Sequence, residues 1–195
     1  MATTLLLVVV AYLSGSLPFG LWLARLAGVD VQRSGSGNIG ATNVARTSGW
    51  RPGALTLVCD TLKGLVPVLV SQRCDVGPWT IAATGVAAVC GHIFSCFLRF
   101  QGGKGVATAL GVLLGAAPLT LAVAFPVFLL TALFTRYVSL ASILATATVP
   151  LSLWMPGYPQ PIRFLGIAIA CLVIFRHAGN IRRLLSGREP RLGTN

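Results

Sequence analysis

The chain has 195 residues, 55% of them hydrophobic and only 10% charged, too little charge to cover a soluble domain of that size. Its net charge of +11 comes from arginines placed in short gaps between apolar runs, not from a basic face interleaved with aromatics. Such placement suits lipid headgroups and topology signals, and it excludes a nucleic-acid partner.

A helical crossing needs about 20 apolar residues. In chain order, runs over residues 4–26, 55–70, 79–100, 106–118, 119–135, 137–155 and 163–175 predict seven transmembrane helices, an all-α polytopic membrane protein with one membrane-embedded domain over 1–195. The first run could imitate a signal peptide, with 5–13 as its apolar region. No Lys or Arg precedes Leu5, however, and apolar character resumes through Leu26, so a retained first helix is the reading. Turn signals at Arg51-Pro52-Gly53, Gly77-Pro78 and Pro156-Gly157-Tyr158-Pro159 separate the runs, and Pro118 divides the fourth from the fifth. Pro67, Pro126 and Pro150 are expected to kink their helices, and Ser14, Ser16 and Pro18 to open a notch or kink in the first.

Positive charge orients the chain. With the loop after the first helix inside, Arg25, Arg33, Arg46, Arg51, Arg99, Lys104, Arg136, Arg176, Arg182, Arg183, Arg188 and Arg191 all fall on the inner side, leaving Arg73 and Arg163 outside. The positive-inside rule then predicts an external N-terminus and a cytoplasmic C-terminus.

Two glycine-rich stretches lie on that inner face: Ser34-Gly35-Ser36-Gly37-Asn38-Ile39-Gly40-Ala41-Thr42-Asn43 and Gly102-Gly103-Lys104-Gly105-Val106-Ala107-Thr108. Clustered small residues let backbone N–H groups converge on an anion, and Arg46 and Lys104 supply positive charge. Gly35-x-Gly37-x-x-Gly40 matches a dinucleotide fingerprint, with Asp60 at a suitable distance, but its flanks are membrane helices and not a βαβ unit. Gly103-Lys104 is not a P-loop, since Leu98 stands where the first glycine belongs and Gly105 where Ser or Thr should follow. A third polar cluster, Arg176-His177-Ala178-Gly179-Asn180-Ile181-Arg182-Arg183, leaves the last helix, with His177 and Asn180 on one helical face. Of the remaining charges, Asp60 and Lys63 are spaced to neutralise each other within the second helix or to meet substrate, and Glu189 is spaced to pair with tail arginines. Five cysteines, odd in number and without zinc spacing, are read as small packing residues.

Together with Ser14-Gly15-Ser16-Leu17-Pro18-Phe19-Gly20 and Gly91-His92-Ile93-Phe94, these clusters resemble the acyl-phosphate glycerol-3-phosphate acyltransferase family of bacteria, the PlsY type, over nearly the whole chain. The chain departs from that pattern at Ser95, commonly proline, Gln101, commonly lysine, and Ala178, commonly basic. The resemblance implies a multi-pass enzyme of the bacterial inner membrane with its active site facing the cytoplasm. It would transfer an acyl group from acyl phosphate to the sn-1 hydroxyl of glycerol 3-phosphate, giving lysophosphatidic acid and inorganic phosphate. Neither cofactor nor metal is expected, and the partners are the two substrates and the bilayer.

The residues fit that chemistry. A mixed anhydride has a good leaving group, so the main need is to hold two phosphates close while charge develops at the carbonyl. Gly35, Gly37, Asn38, Thr42, Asn43, Arg46, Gly102, Gly103, Lys104 and Gly105 are the expected phosphate-binding set. His177, with Asn180 and Ser36, is the expected reacting group, His177 serving as base or phosphate ligand unless a substrate phosphate takes the proton. His92 is expected to orient the second loop. The HxxxxD dyad of other acyltransferases is absent, because Phe97 follows His92 and Arg182 follows His177 at that offset. The alternative from another class, a small transporter or flippase for a phosphorylated solute or lipid, predicts inverted repeats with broken helices meeting at the midplane. Here the polar motifs lie at one face.

Overall fold

A computed structural model describes residues 1–154 and 157–193, and among these every regular element is helical. Met155 at the end of the sixth run, Pro156 of the last turn signal, Thr194 and Asn195 lie outside the described residues.

The first apolar run is two helices, α1 (Ala2–Ser16) and α2 (Phe19–Leu26). Pro18 has no N–H and disfavours helical backbone at Leu17, so the run breaks there. After the first glycine-rich segment come α3 (Ala41–Ser48) and, directly, α4 (Trp50–Arg73). The division falls at Gly49, φ +97°, and not at Arg51-Pro52-Gly53. Pro52 sits in the first turn of α4, where a missing N–H forfeits no intrahelical bond. The second predicted helix therefore starts earlier than residue 55.

Next, α5 (Pro78–Ile93) starts at the expected Gly77-Pro78 but stops short of residue 100. A 3₁₀ turn over Cys96–Leu98 and left-handed Arg99 and Phe100 turn the chain back instead. Pro118 separates α6 (Val106–Ala116) from α7 (Leu121–Thr135), as predicted. The chain ends in α8 (Val138–Ser152), α9 (Gln160–Arg176) and α10 (Ala178–Leu185), the last bent 57° away from α9. Pro67, Pro126 and Pro150 all lie inside helices.

Among the described residues, four stretches are long and apolar enough to span a bilayer: Ala2–Leu26, Trp50–Arg73, Pro78–Leu98 and Pro118–Thr135. Read as one span, the bent α9–α10 pair makes a fifth, while α6 and α8 are apolar but shorter. Length and composition alone thus account for four or five of the seven predicted crossings.

Helices pack as α1 on α5, α4 on α6 and α7 on α8, with α9 against α5 and α8. A side chain at Gly15, Gly91, Gly64 or Gly111 would strike the backbone of the facing helix. Close backbone approach through small residues is how helices gain contact in lipid, where no water drives burial. Large apolar side chains such as Phe125, Leu129, Leu133 and Phe134 point outward instead, a band untenable in water. All five cysteines are free, and Cys74, Cys96 and Cys171 are exposed, so these three are not the packing residues expected.

The two ends of the bundle differ. At one, Thr4 meets Thr80, Gln72 Nε2 donates to Gly115 O, and Leu119 N–H donates to Tyr158 Oη. At the other, Arg176 holds the second glycine segment and Leu192 N–H donates to Arg136 O. All three polar clusters belong to this second end.

Helix contact through glycine predicts a sharp asymmetry. Gly111→Val, which pushes into Thr61 O and Leu65 N on α4, should lower stability in detergent by about 3 kcal/mol. Gly77→Ala, whose added methyl meets open space, should stay within about 0.5 kcal/mol. Thermal unfolding of the two variants checks this.

Candidate active site

Asn43, on the first turn of α3 and buried, ties the first segment together from inside. Its Oδ1 accepts the Ser36 N–H at 2.9 Å, and its Nδ2 donates to Val31 O, Ser34 O and Asn38 O at 3.3, 3.1 and 2.9 Å. Both ends of the amide are thereby committed to the loop, so Asn43 builds the cradle from beneath. Asn38 Oδ1 accepts the Gly40 N–H at 3.0 Å, an Asx turn. Gly35 and Gly37 have φ of +59° and +70°, left-handed backbone that a side chain would strain. Ser36, Thr42 and Arg46 remain exposed on this frame.

The second segment folds back onto the end of α5. Gly102 N–H donates to Ile93 O and Gly103 N–H to His92 O, both at 3.0 Å. A Cβ at Gly103 would collide with the His92 ring, so His92 lies directly under this loop, as expected. From the end of α9, Arg176 Nη2 donates to Gly102 O at 3.0 Å and its Nε to Gly103 O at 3.2 Å. Gly105, φ +84°, then caps α6. Lys104 stands between these fixed points, half-buried.

The third cluster turns at His177, the joint of α9 and α10, which is 2% exposed. Its Nδ1 lies 2.8 Å from Val173 O. A carbonyl can only accept, so Nδ1 carries the proton and Nε2 keeps its lone pair. Asn180 Nδ2 donates to Glu189 Oε1 at 2.6 Å, and Arg183 Nε to Glu189 Oε2 at 2.8 Å. Glu189 thus makes its expected pair with a tail arginine, and it also fixes Asn180.

Electrostatics join the segments. Burial pulls the Lys104 ammonium down to about 8; Glu189 opposes the shift, while Arg183, Arg176 and Arg46 reinforce it. His177 is pushed down to about 4, chiefly by burial and against the Val173 hydrogen bond, with Lys104 and Arg176 adding to it. It is therefore neutral near pH 7. Arg46, Arg176 and Arg183 thus share one field with Lys104, beside a neutral imidazole and one buried carboxylate, a concentration of positive charge suited to an anion. Sequence reasoning singled out Arg46, Lys104 and His177 but assigned no role here to Arg176 or Arg183. Their signal was present only as positive charge in the third cluster.

The family described as glycerol-3-phosphate acyltransferase matches residues 5–187. A glycerol-3-phosphate acyltransferase of Geotalea daltonii is 50% identical over 189 residues, 97% of this chain and 97% of that protein. One from Aquifex aeolicus is 48% identical over 188 residues, 96% of this chain and 98% of that protein. The crystal structure of PlsY (YgiH), an integral membrane glycerol 3-phosphate acyltransferase, in its glycerol 3-phosphate form is similar with a TM-score of 0.94 at 48% identity, covering 98% of this chain and 96% of that one. Its lysophosphatidic acid form gives 0.91 at the same identity and coverage. With the motifs, the helical membrane fold and the cationic site in agreement, the chain belongs to the glycerol-3-phosphate acyltransferase family and is an integral membrane enzyme of the PlsY type.

Proposed function

We propose that this acyltransferase, which forms lysophosphatidic acid from glycerol 3-phosphate, takes its acyl group from an acyl phosphate where the three polar clusters meet. The observation that carries the reading is the convergence of Arg46, Arg176 and Arg183 on Lys104, with Lys104 and Arg176 acting in turn on His177. Two phosphate groups, one on each substrate, balance that charge. The neutral Nε2 of His177 accepts the proton of the sn-1 hydroxyl as its oxygen attacks the acyl carbonyl. The tetrahedral centre collapses, the bond to the phosphate oxygen breaks, and inorganic phosphate leaves against the Lys104 ammonium. His177 returns its proton to solvent or product. A proton-bearing Nδ1 committed to Val173 O favours this base over a phosphate-ligand role, because the free nitrogen can only accept. Asn180 is steadied by Glu189, and Ser36 and Thr42 offer exposed hydroxyls for orientation.

We further infer seven crossings, with the site in the cytoplasmic leaflet of a bacterial inner membrane. Support comes from the two ends of the bundle. Lys104 opens α6 at the site end, and α7 returns to that end at Arg136, where the tail contacts it. Short α6 therefore leads away from the site, as does α8 before α9 comes back at Arg176. The arginine distribution assigns the site end to the cytoplasm.

Lys104→Ala should lower kcat/KM about a hundredfold, the ~3 kcal/mol of a charge-assisted phosphate contact, with the protein still folded. Because burial brings the Lys104 ammonium down to about 8, acyl phosphate KM should rise as pH climbs through that value. Lys104→Arg, charged throughout, should remove the rise. Near-native turnover by the alanine variant would defeat the phosphate-clamp reading.

Donor choice is tested separately. Purified enzyme should release phosphate from acyl phosphate and stay inactive with acyl-coenzyme A or acyl carrier protein. Efficient use of either thioester would refute the mixed-anhydride reading. For topology, cysteines introduced at Gln101 and Ser186 should react with an impermeant reagent only from the cytoplasmic side, and those at Asp75 and Gln160 only from outside.

A further inference from the structure

Asp60, Lys63 and His92 are 2%, 4% and 3% exposed, within α4 and α5, among groups expected to be hydrocarbon-like. An ion pair there is costly unless its geometry serves something. Lys63 Nζ lies 3.0 Å from Asp60 Oδ1, and His92 Nδ1 lies 3.8 Å from the same oxygen. That His92 nitrogen is buried with no hydrogen-bond partner, so its ring is held by packing against its neighbours.

Two further contacts lead outward from this pair. Lys63 Nζ also donates to Leu17 O at 2.8 Å and lies 5.9 Å from the Phe19 ring. It thereby grips the corner where Pro18 breaks the first span. Past that corner, Gly20 is so close to Ile39 O that a side chain would collide with it, which seats α2 against the first glycine segment. In the other direction, the His92 ring lies against Gly103, and the His92 carbonyl accepts the Gly103 N–H. One buried pair is thus linked to both glycine segments, to the first through Leu17 and Gly20 and to the second through His92.

We propose that Asp60, Lys63 and His92 form a positioning frame that fixes the two glycine segments relative to each other. The frame aligns the bound substrates without touching either. This rests on the reading of those segments as phosphate cradles. A pair present only for mutual neutralisation would predict something different: removing both charges together would leave the enzyme competent.

The decisive variant is Asp60→Leu with Lys63→Met, which leaves no lone buried charge. Steady-state kinetics and thermal unfolding should show a folded protein whose kcat falls about a hundredfold, as misalignment of two reactants by roughly an ångström does. KM for each substrate should change less than about threefold, since each cradle survives. A kcat within threefold of native, or a loss carried by KM, overturns the frame. If the double variant does not fold, His92→Gln, which keeps the ion pair, decides by the same split of kcat against KM. Lys104→Ala separates the two readings. Native activity there refutes the cradles, whereas an inactive Lys104→Ala beside frame variants of native kcat refutes the frame alone.

Discussion

Hydrocarbon offers no partner to a backbone polar group, so any break in a membrane helix must be met by protein donors. The break between α1 and α2 is where the rest of this structure depends on that rule. Pro18 ends α1 within the first apolar run, and the carbonyls left behind are taken by side chains from elsewhere in the chain. Ser95 Oγ donates to Ser16 O at 2.6 Å and Lys63 Nζ to Leu17 O at 2.8 Å. In return, Tyr12 Oη donates to Phe94 O at 2.7 Å. The same bonds that make the break tolerable therefore join α1 to α4 and to the end of α5, and so bring the two glycine segments to one end of the bundle.

At that end, charge is concentrated and not neutralised. Glu189 is the nearby carboxylate, and hydrogen bonds from polar neighbours, Asn180 and Arg183 among them, outweigh its burial and hold it below its ordinary value. Arg46, Lys104, Arg176 and Arg183 together exceed it. Burial and mutual repulsion move Lys104 and His177 in the same direction, but from different starting points. Near pH 7 one remains a cation and the other becomes neutral, which gives neighbouring groups distinct roles toward anionic substrates.

The departures from expectation share one cause. Asn43 reads in sequence as a ligand because it ends a glycine-rich string, yet burial turns its amide onto the loop. Arg51-Pro52-Gly53 reads as a turn, yet proline is harmless in a first helical turn and Gly49 supplies the break. Ser95 reads in sequence as part of an apolar run, yet it supplies a buried hydroxyl to the first span. Exposed Cys74, Cys96 and Cys171 look like core residues only because apolar composition in a membrane protein marks the outside as well as the inside. In each case composition defines what a residue can do, and the neighbour across the bundle selects which.

Sequence by itself determined the membrane class, the helix boundaries at Gly77-Pro78 and Pro118, the arginine asymmetry and the three polar clusters, because all of these follow from local hydropathy, turn chemistry and charge. It also pointed to Lys104 and His177, whose residue types stand out against an apolar background. Only the tertiary structure decided that Arg176 and Arg183 belong with them, that Glu189 holds Asn180, and that Asp60 and Lys63 reach Leu17 and His92. Such relations join residues far apart in sequence, 74 positions in the case of Arg176 and Gly102. No periodicity encodes such a distance; it is set by glycine contacts that decide how closely α1 approaches α5 and α4 approaches α6.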